Sequence, residues 1–89
     1  MEIWKVFVLS TAHATKEDLE KAQIWITDMG AADQYGVWIY AAIDREYFAN
    51  RGFSDAFWNC LNTALQNECE YVRFDRDGPV LNSLEAFDW

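Results

Sequence analysis

Apolar residues fill almost every position of EIWKVFVLS, residues 2–10. Trp4, Val6 and Val8 share one face of an extended chain, and Ile3, Phe7 and Leu9 the other. A run apolar on both faces predicts a strand in the interior of a sheet. The period then changes. Thr15, with Asp18 three residues on, is the acidic form of a capping box and opens a helix through KEDLEKAQ, with Leu19, Ala22 and Ile26 inward. QIWIT either continues that helix to Met29 or forms a strand over Ile24–Thr27, and Gly30 ends whichever it is. GVWIYAAI (36–43) predicts a strand on β-propensity, preceded by the turn-rich GAADQYG. DREYFANRGF reads as an irregular or short helical connection broken at Gly52. Ser54 caps the clearest helix, DAFWNCLNTALQNE, whose Phe57, Leu61, Ala64 and Leu65 form one apolar stripe. CEYVRF is a strand, DRDG a turn, and PVLNSLEAFDW a short strand or extended tail.

This order predicts a single α+β domain over residues 1–89. Its sheet, mainly antiparallel and of roughly three to five strands, would carry two helices on one face. With Ile24–Thr27 extended, the succession is β-α-β-β-α-β, the ferredoxin-like plan. The uncovered face of the sheet would then hold surplus apolar residues, a surface for a partner or a second copy.

Composition sharpens that expectation. Five Trp, four Tyr and six Phe in 89 residues exceed what one small core requires. Trp and Tyr left at the surface favour contact with a partner. The net charge of −8 is spread along the chain, so it describes a folded surface and not a tail. Such a surface repels nucleic acid and anionic lipid and attracts basic protein, including protein built to hold DNA. No run of 18 apolar residues provides a membrane span, and the N-terminus lacks the basic region of a signal peptide; a cytoplasmic chain is expected. Cys60 and Cys69, nine apart in a helix, would lie ~13 Å apart along its axis on opposite faces and cannot bridge. A single His and no Cys-x-x-Cys leave no metal site, and no cofactor is implied.

YVRFDRDGPVL (71–81) looks most like chemistry. A strand ending in Asp-x-Asp-Gly resembles the nucleophile motif of haloacid-dehalogenase-type phosphatases, where one carboxylate attacks phosphorus and the next moves protons. That reaction also needs a lysine and further acids downstream. Eleven residues follow Gly78, none of them Lys or Arg, so an enzyme is not expected. A calcium loop fails for want of alternating acids. A hairpin turn remains, with Asp77 and Gly78 at positive φ. In STAHAT (10–15), Ser10 and His13 could pair as nucleophile and base, but no orienting acid accompanies them, and His13 reads as a hydrogen-bonding fixture.

Charge therefore carries the functional expectation. Glu68, Glu70, Asp75, Asp77, Glu85 and Asp88 crowd the last 22 residues, offset by Arg73 and Arg76 and interleaved with Tyr71, Phe87 and Trp89. Carboxylates two apart on a strand stand ~6.6 Å apart on one face, close to the spacing of phosphates along a nucleic-acid strand. These six acids, with Tyr71 and Trp89, form the expected partner-binding site.

Three segments also resemble a known group. Ser10–His13, Tyr35–Trp38 and Phe74–Gly78 with Asp88–Trp89 are similar to the Ser-Thr-Ala-His, Tyr-Gly-aromatic and Phe-Asp-Arg-Asp-Gly…Asp-Trp segments of a family of small uncharacterised proteins carried by bacterial plasmids, integrated elements and phages. The resemblance implies a mobile-genetic-element setting, where small acidic proteins are often anti-CRISPR proteins or DNA mimics. The expectation is a non-catalytic acidic inhibitor in the host bacterial cytoplasm. It would bind a basic surface of a CRISPR-Cas-type effector complex and block nucleic-acid binding there, without touching nucleic acid itself. The alternative is a protein–protein interaction module, or a homodimer, using the aromatic sheet face.

Overall fold

The computed structural model describes residues 3–24, 30–33 and 35–88. Four strands, β1 (Val6–Ser10), β2 (Gly30–Asp33), β3 (Gly36–Tyr40) and β4 (Tyr71–Asp75), form one mixed sheet in the order β1-β4-β3-β2. β4 runs parallel to β1 and antiparallel to β3, and β2 is antiparallel to β3. Alternation and register together sort the side chains. Phe7, Val72 and Ile39 form one row facing the helices, and Leu9, Phe74 and Val37 the next. Val6, Tyr71 and Tyr40, then Val8, Arg73 and Trp38, face the other way.

Helices α1 (Lys16–Ile24), α2 (Arg45–Asn50) and α3 (Asp55–Gln66) complete a small single α+β domain. Among the described residues the succession of elements is β-α-β-β-α-β, with the second helical unit split in two. The ferredoxin-like plan fits this succession but not the order of strands. That plan keeps its first strand inside the sheet, whereas here β1 is an edge and β4 lies inside. The interior position expected for residues 2–10 thus belongs to β4, whose Val72, Arg73 and Phe74 are all buried. Ile3 and Trp4 precede β1 as exposed residues. β2 falls in the segment whose composition suggests a turn, and Gly30 begins a strand instead of ending an element. Pairing along β3, from Gly30 opposite Ile39 to Asp33 opposite Gly36, overrides the poor propensity of Gly-Ala-Ala-Asp. Of the ambiguous stretch, Ile24 ends α1, while residues 25–29, including Ile26, lie outside the described residues.

Local capping chemistry accounts for the helix starts. Asp18 N–H donates to Thr15 Oγ1 at 3.0 Å and Thr15 N–H to Asp18 Oδ2 at 3.0 Å, the reciprocal pair that a capping box requires. Ser54 Oγ accepts from Phe57 N–H at 3.1 Å. Asp18 does more than cap its own helix. Its carboxylate, 1% exposed, also accepts Ser54 N–H at 2.9 Å and Ser54 O–H at 2.5 Å, tying the start of α1 to the start of α3.

Rings carry the core from helix to sheet. Phe48 meets Phe53 and Phe57 edge-on, Phe53 stacks on Phe57 at 4.7 Å, and Phe57 stacks on Phe74 at 5.2 Å. Along α3, Phe57, Leu61 and Ala64 are buried as the stripe predicts, with Cys60 beside them. Leu65 is exposed, one position off that face. Cys60 and Cys69 are both buried and free, and Cys69 lies beyond the last residue of α3. Gly36 is demanded by close approach, since a Cβ there would stand 1.7 Å from the Phe74 carbonyl oxygen.

β4 ends in a turn, with Gly78 N–H donating to the Asp75 carbonyl at 2.9 Å. No hairpin follows. β1 and β3 already occupy both sides of β4, so residues 79–88 form no strand and cross toward the end of β1. Among the described residues, positive φ occurs at Gly52 and Glu68, not at Asp77 or Gly78.

Candidate interaction surface

The face of the sheet turned away from the helices is open and aromatic. Tyr71, on the interior strand, meets Trp4 edge-on at 5.6 Å and Tyr40 at 5.5 Å, so three rings from three chain segments form one row. Trp4, Val8, Trp38 and Tyr40 are exposed by between 37% and 52%, the range of a surface patch and not of a core. One row further along β4 sits Arg73. Its guanidinium lies 5.3 Å from the Trp38 ring, and its Nε and Nη2 each stand 3.2 Å from Asp75 Oδ2. Arg73 is only 6% exposed although it points to the open side. Its side chain is buried, guanidinium included, beside the Trp38 ring and the Asp75 carboxylate. Trp and Tyr surround one Arg whose charge Asp75 compensates, and these three residue types are enriched where protein interfaces concentrate their binding energy. Alternation in β3 and β4 was the signal for this face. The edge position of β1 and the register that joins Trp4, Tyr71 and Tyr40 required the fold.

The acids of the expected site do not form one stripe. Tyr71 belongs to the open face. Glu68 and Glu70 lie before the start of β4, and Asp75 and Asp77 lie at and beyond its end, a strand's length of ~16 Å away. Glu70 accepts Lys5 N–H at 2.5 Å, and Asp75 is engaged by Arg73 and by Asp77 N–H at 2.9 Å. Glu85 and Asp88 are exposed on the C-terminal segment, where Asp88 lines a shallow cleft with Thr15, Lys16, Glu17 and Phe87. Trp89 lies outside the described residues.

Ser10 and His13 do not address each other. Ser10 Oγ accepts Ala12 N–H at 3.0 Å and caps a single 3-10 turn, Thr11–His13. The His13 ring is buried with both nitrogens engaged by Leu81 and Glu85. Behind it, Cys60 Sγ lies 3.7 Å from the His13 carbonyl oxygen, and burial, then the Asp18 charge, push its thiol up to about 12. Such a thiol is no nucleophile at neutral pH. No group of three His, Cys, Asp or Glu among the described residues could hold a metal. None of the described helices is long and apolar enough to cross a membrane. Segments distant in sequence meet at one end of the sheet: Arg76 N–H donates to the Tyr35 carbonyl, and the Arg76 guanidinium lies 4.8 Å from the Tyr35 ring.

Fold and surface together define a small α+β domain with one face closed by helices and the other left as an aromatic patch. Residues 6–89 match the family described as "Family of unknown function (DUF5983) C-terminal domain", and the chain belongs to that family. No curated protein and no solved structure matches the chain.

Proposed function

We propose that this domain is a protein-interaction module that engages a partner protein, or a second copy of itself, through the open face of its sheet. The observation that carries this reading is the row Trp4–Tyr71–Tyr40, exposed at Trp4 and Tyr40 and half-buried at Tyr71, set beside the Arg73–Asp75 pair. Rings held edge-to-face lose little freedom on binding, and a charge compensated within the face adds no unpaired ion to a dry contact. Three strands ~4.8 Å apart and two rows of side chains make a patch on the order of 200 Å². A standard interface takes ~800 Å² from each partner. The patch is thus the anchor of a contact that spreads over the sheet's edges.

A second reading, an anti-CRISPR-like acidic inhibitor of a basic nucleic-acid-handling complex, rests on the exposed Glu68, Asp77, Glu85 and Asp88. Its support is thinner, because Glu70 and Asp75 are taken up within the chain and the rest are divided between two ends of β4 and the tail. One experiment separates the two. Light scattering gives the oligomeric state, and affinity capture from a bacterial lysate is run at low and high salt with Trp38→Ala, Tyr40→Ala and an Asp77→Lys/Glu85→Lys variant. Loss of the complex, homomeric or captured, on ring truncation, with persistence at high salt, supports the aromatic face. Loss on charge reversal and at high salt supports the acidic inhibitor.

A further inference from the structure

The imidazole of His13 has no exposed surface. Leu81 N–H donates to Nε2 at 2.8 Å, and Nδ1 lies 2.7 Å from the Glu85 carbonyl oxygen. A backbone N–H can only donate and a carbonyl can only accept. Nε2 therefore presents its lone pair and Nδ1 carries the hydrogen, one neutral tautomer satisfying both contacts. Two further bonds hold the same segment: Ser10 N–H to the Pro79 carbonyl at 2.8 Å and Phe87 N–H to the Ala12 carbonyl at 2.7 Å. Leu81 and Leu84 rest half-buried against the core. Residues 79–88 form no helix or strand, so their hold depends on these contacts.

We propose that residues 79–88 are a detachable strap latched by the neutral imidazole of His13, and that protonation of this ring releases the strap. An imidazolium carries hydrogen on both nitrogens. Nε2–H would then face Leu81 N–H, donor against donor, in a site closed to water. The charged and titratable groups on the described elements around the ring are engaged elsewhere, exposed or uncharged. On α1, the Asp18 carboxylate is occupied by Thr15 and Ser54. On α3, Cys60 is an uncharged thiol at neutral pH. On the strap, the Glu85 side chain is exposed, and on β4 Asp75 is paired with Arg73. Both ring nitrogens address backbone atoms, and neither is hydrogen-bonded to a carboxylate. Release would bare the Ser10 N–H on the outer edge of β1 and the apolar surface beneath Leu81 and Leu84, opening a new sticky margin on the sheet.

The test is NMR on the whole protein from about pH 7.5 to about pH 5, the span over which imidazoles titrate. Imidazole ¹⁵N shifts report the state of the ring. Amide exchange at Ser10, Leu81 and Phe87 reports the strap, and exchange at Val72 and Phe74 reports the sheet. The expected result is the Nδ1–H tautomer at the start. As the ring protonates, the strap amides should lose protection about tenfold or more while the β4 amides keep theirs. His13→Gln has no titrating ring, and its strap should show no such step. The proposal is overturned by any of four results: a strap that stays protected while the ring protonates, a ring that stays neutral across the range, strap and β4 opening together, or the same step in His13→Gln. Should that variant not fold, the wild-type comparison of ring, strap and sheet decides alone.

Discussion

Asp18→Ala removes one carboxylate and disturbs two helices at once. In the folded chain that carboxylate accepts Thr15 N–H, Ser54 N–H and Ser54 O–H, at 1% exposure. Alanine leaves two backbone donors at helix starts without an acceptor, on residues that are themselves half-buried. Each stranded buried donor costs about 1–3 kcal/mol, and loss of an N-terminal cap alone about 1 kcal/mol. Allowing for non-additivity within one network, the loss is about 3–5 kcal/mol. A chain of this length holds about 4–13 kcal/mol in total, so the variant stands near the edge of folding. Asp18→Asn keeps one acceptor oxygen and should lose about half as much. Glu17→Ala, one residue away and exposed, should stay within about 0.5 kcal/mol. Urea unfolding followed by Trp fluorescence reads all three. At a slope of roughly 1 kcal/mol per molar urea, the Asp18→Ala midpoint falls by about 3–5 M. A midpoint within about 1 M of wild type, with the slope unchanged, would show that the network is not what joins α1 to α3.

Further outcomes follow from the same physical reading. Cys60 should resist maleimide at neutral pH in the folded protein and react at the rate of opening. Because its thiol is raised from 9.0 to about 12, the folded state holds that proton more tightly than the unfolded chain. The associated stability is whole below pH 9.0 and is lost as pH climbs from there toward about 12, which an alkaline denaturation series with Cys60→Ser as comparison will detect. Glu68, at φ 59 just past the end of α3, occupies the left-handed position that glycine prefers, so Glu68→Gly should raise stability by about 0.5–1 kcal/mol in the same urea assay. Gly78→Ala would put a Cβ 2.6 Å from the Leu9 carbonyl oxygen, and should loosen the turn and speed amide exchange at Ser10. Trp38→Ala should cost less than about 1 kcal/mol of stability, yet weaken partner binding by roughly thirtyfold in a titration.

Local rules were readable along the chain, and rules of partnership were not. Thr15 and Ser54 announce their helices because a cap depends on residues within one turn. Alternation in β1 sorts Phe7 and Leu9 from Val6 and Val8 without any knowledge of neighbours. The same run cannot say whether two strands flank it or one, and its apolar second face proved to be surface. β2 escaped because Gly-Ala-Ala-Asp carries no strand signal of its own and is held by β3. Asp18 reads as a helix cap, and its second role, gripping Ser54 36 residues on, has no local mark. His13 is the plainest case, since its partners Leu81 and Glu85 lie 68 and 72 residues away. The acidic stripe was inferred from sequence proximity, but β4 and the turn after it send neighbouring acids to different ends of the sheet.

Site-specific photo-crosslinking in a bacterial host tests the open face most directly. A benzophenone side chain at position 38 samples the aromatic patch, and one at position 77 samples the acidic turn, with the rest of the protein unchanged. The interaction-module account predicts one discrete adduct from position 38, formed in low or high salt and abolished by Tyr71→Ala. Adducts from position 77 with none from position 38 would mean that the exposed rings of β3 face only solvent.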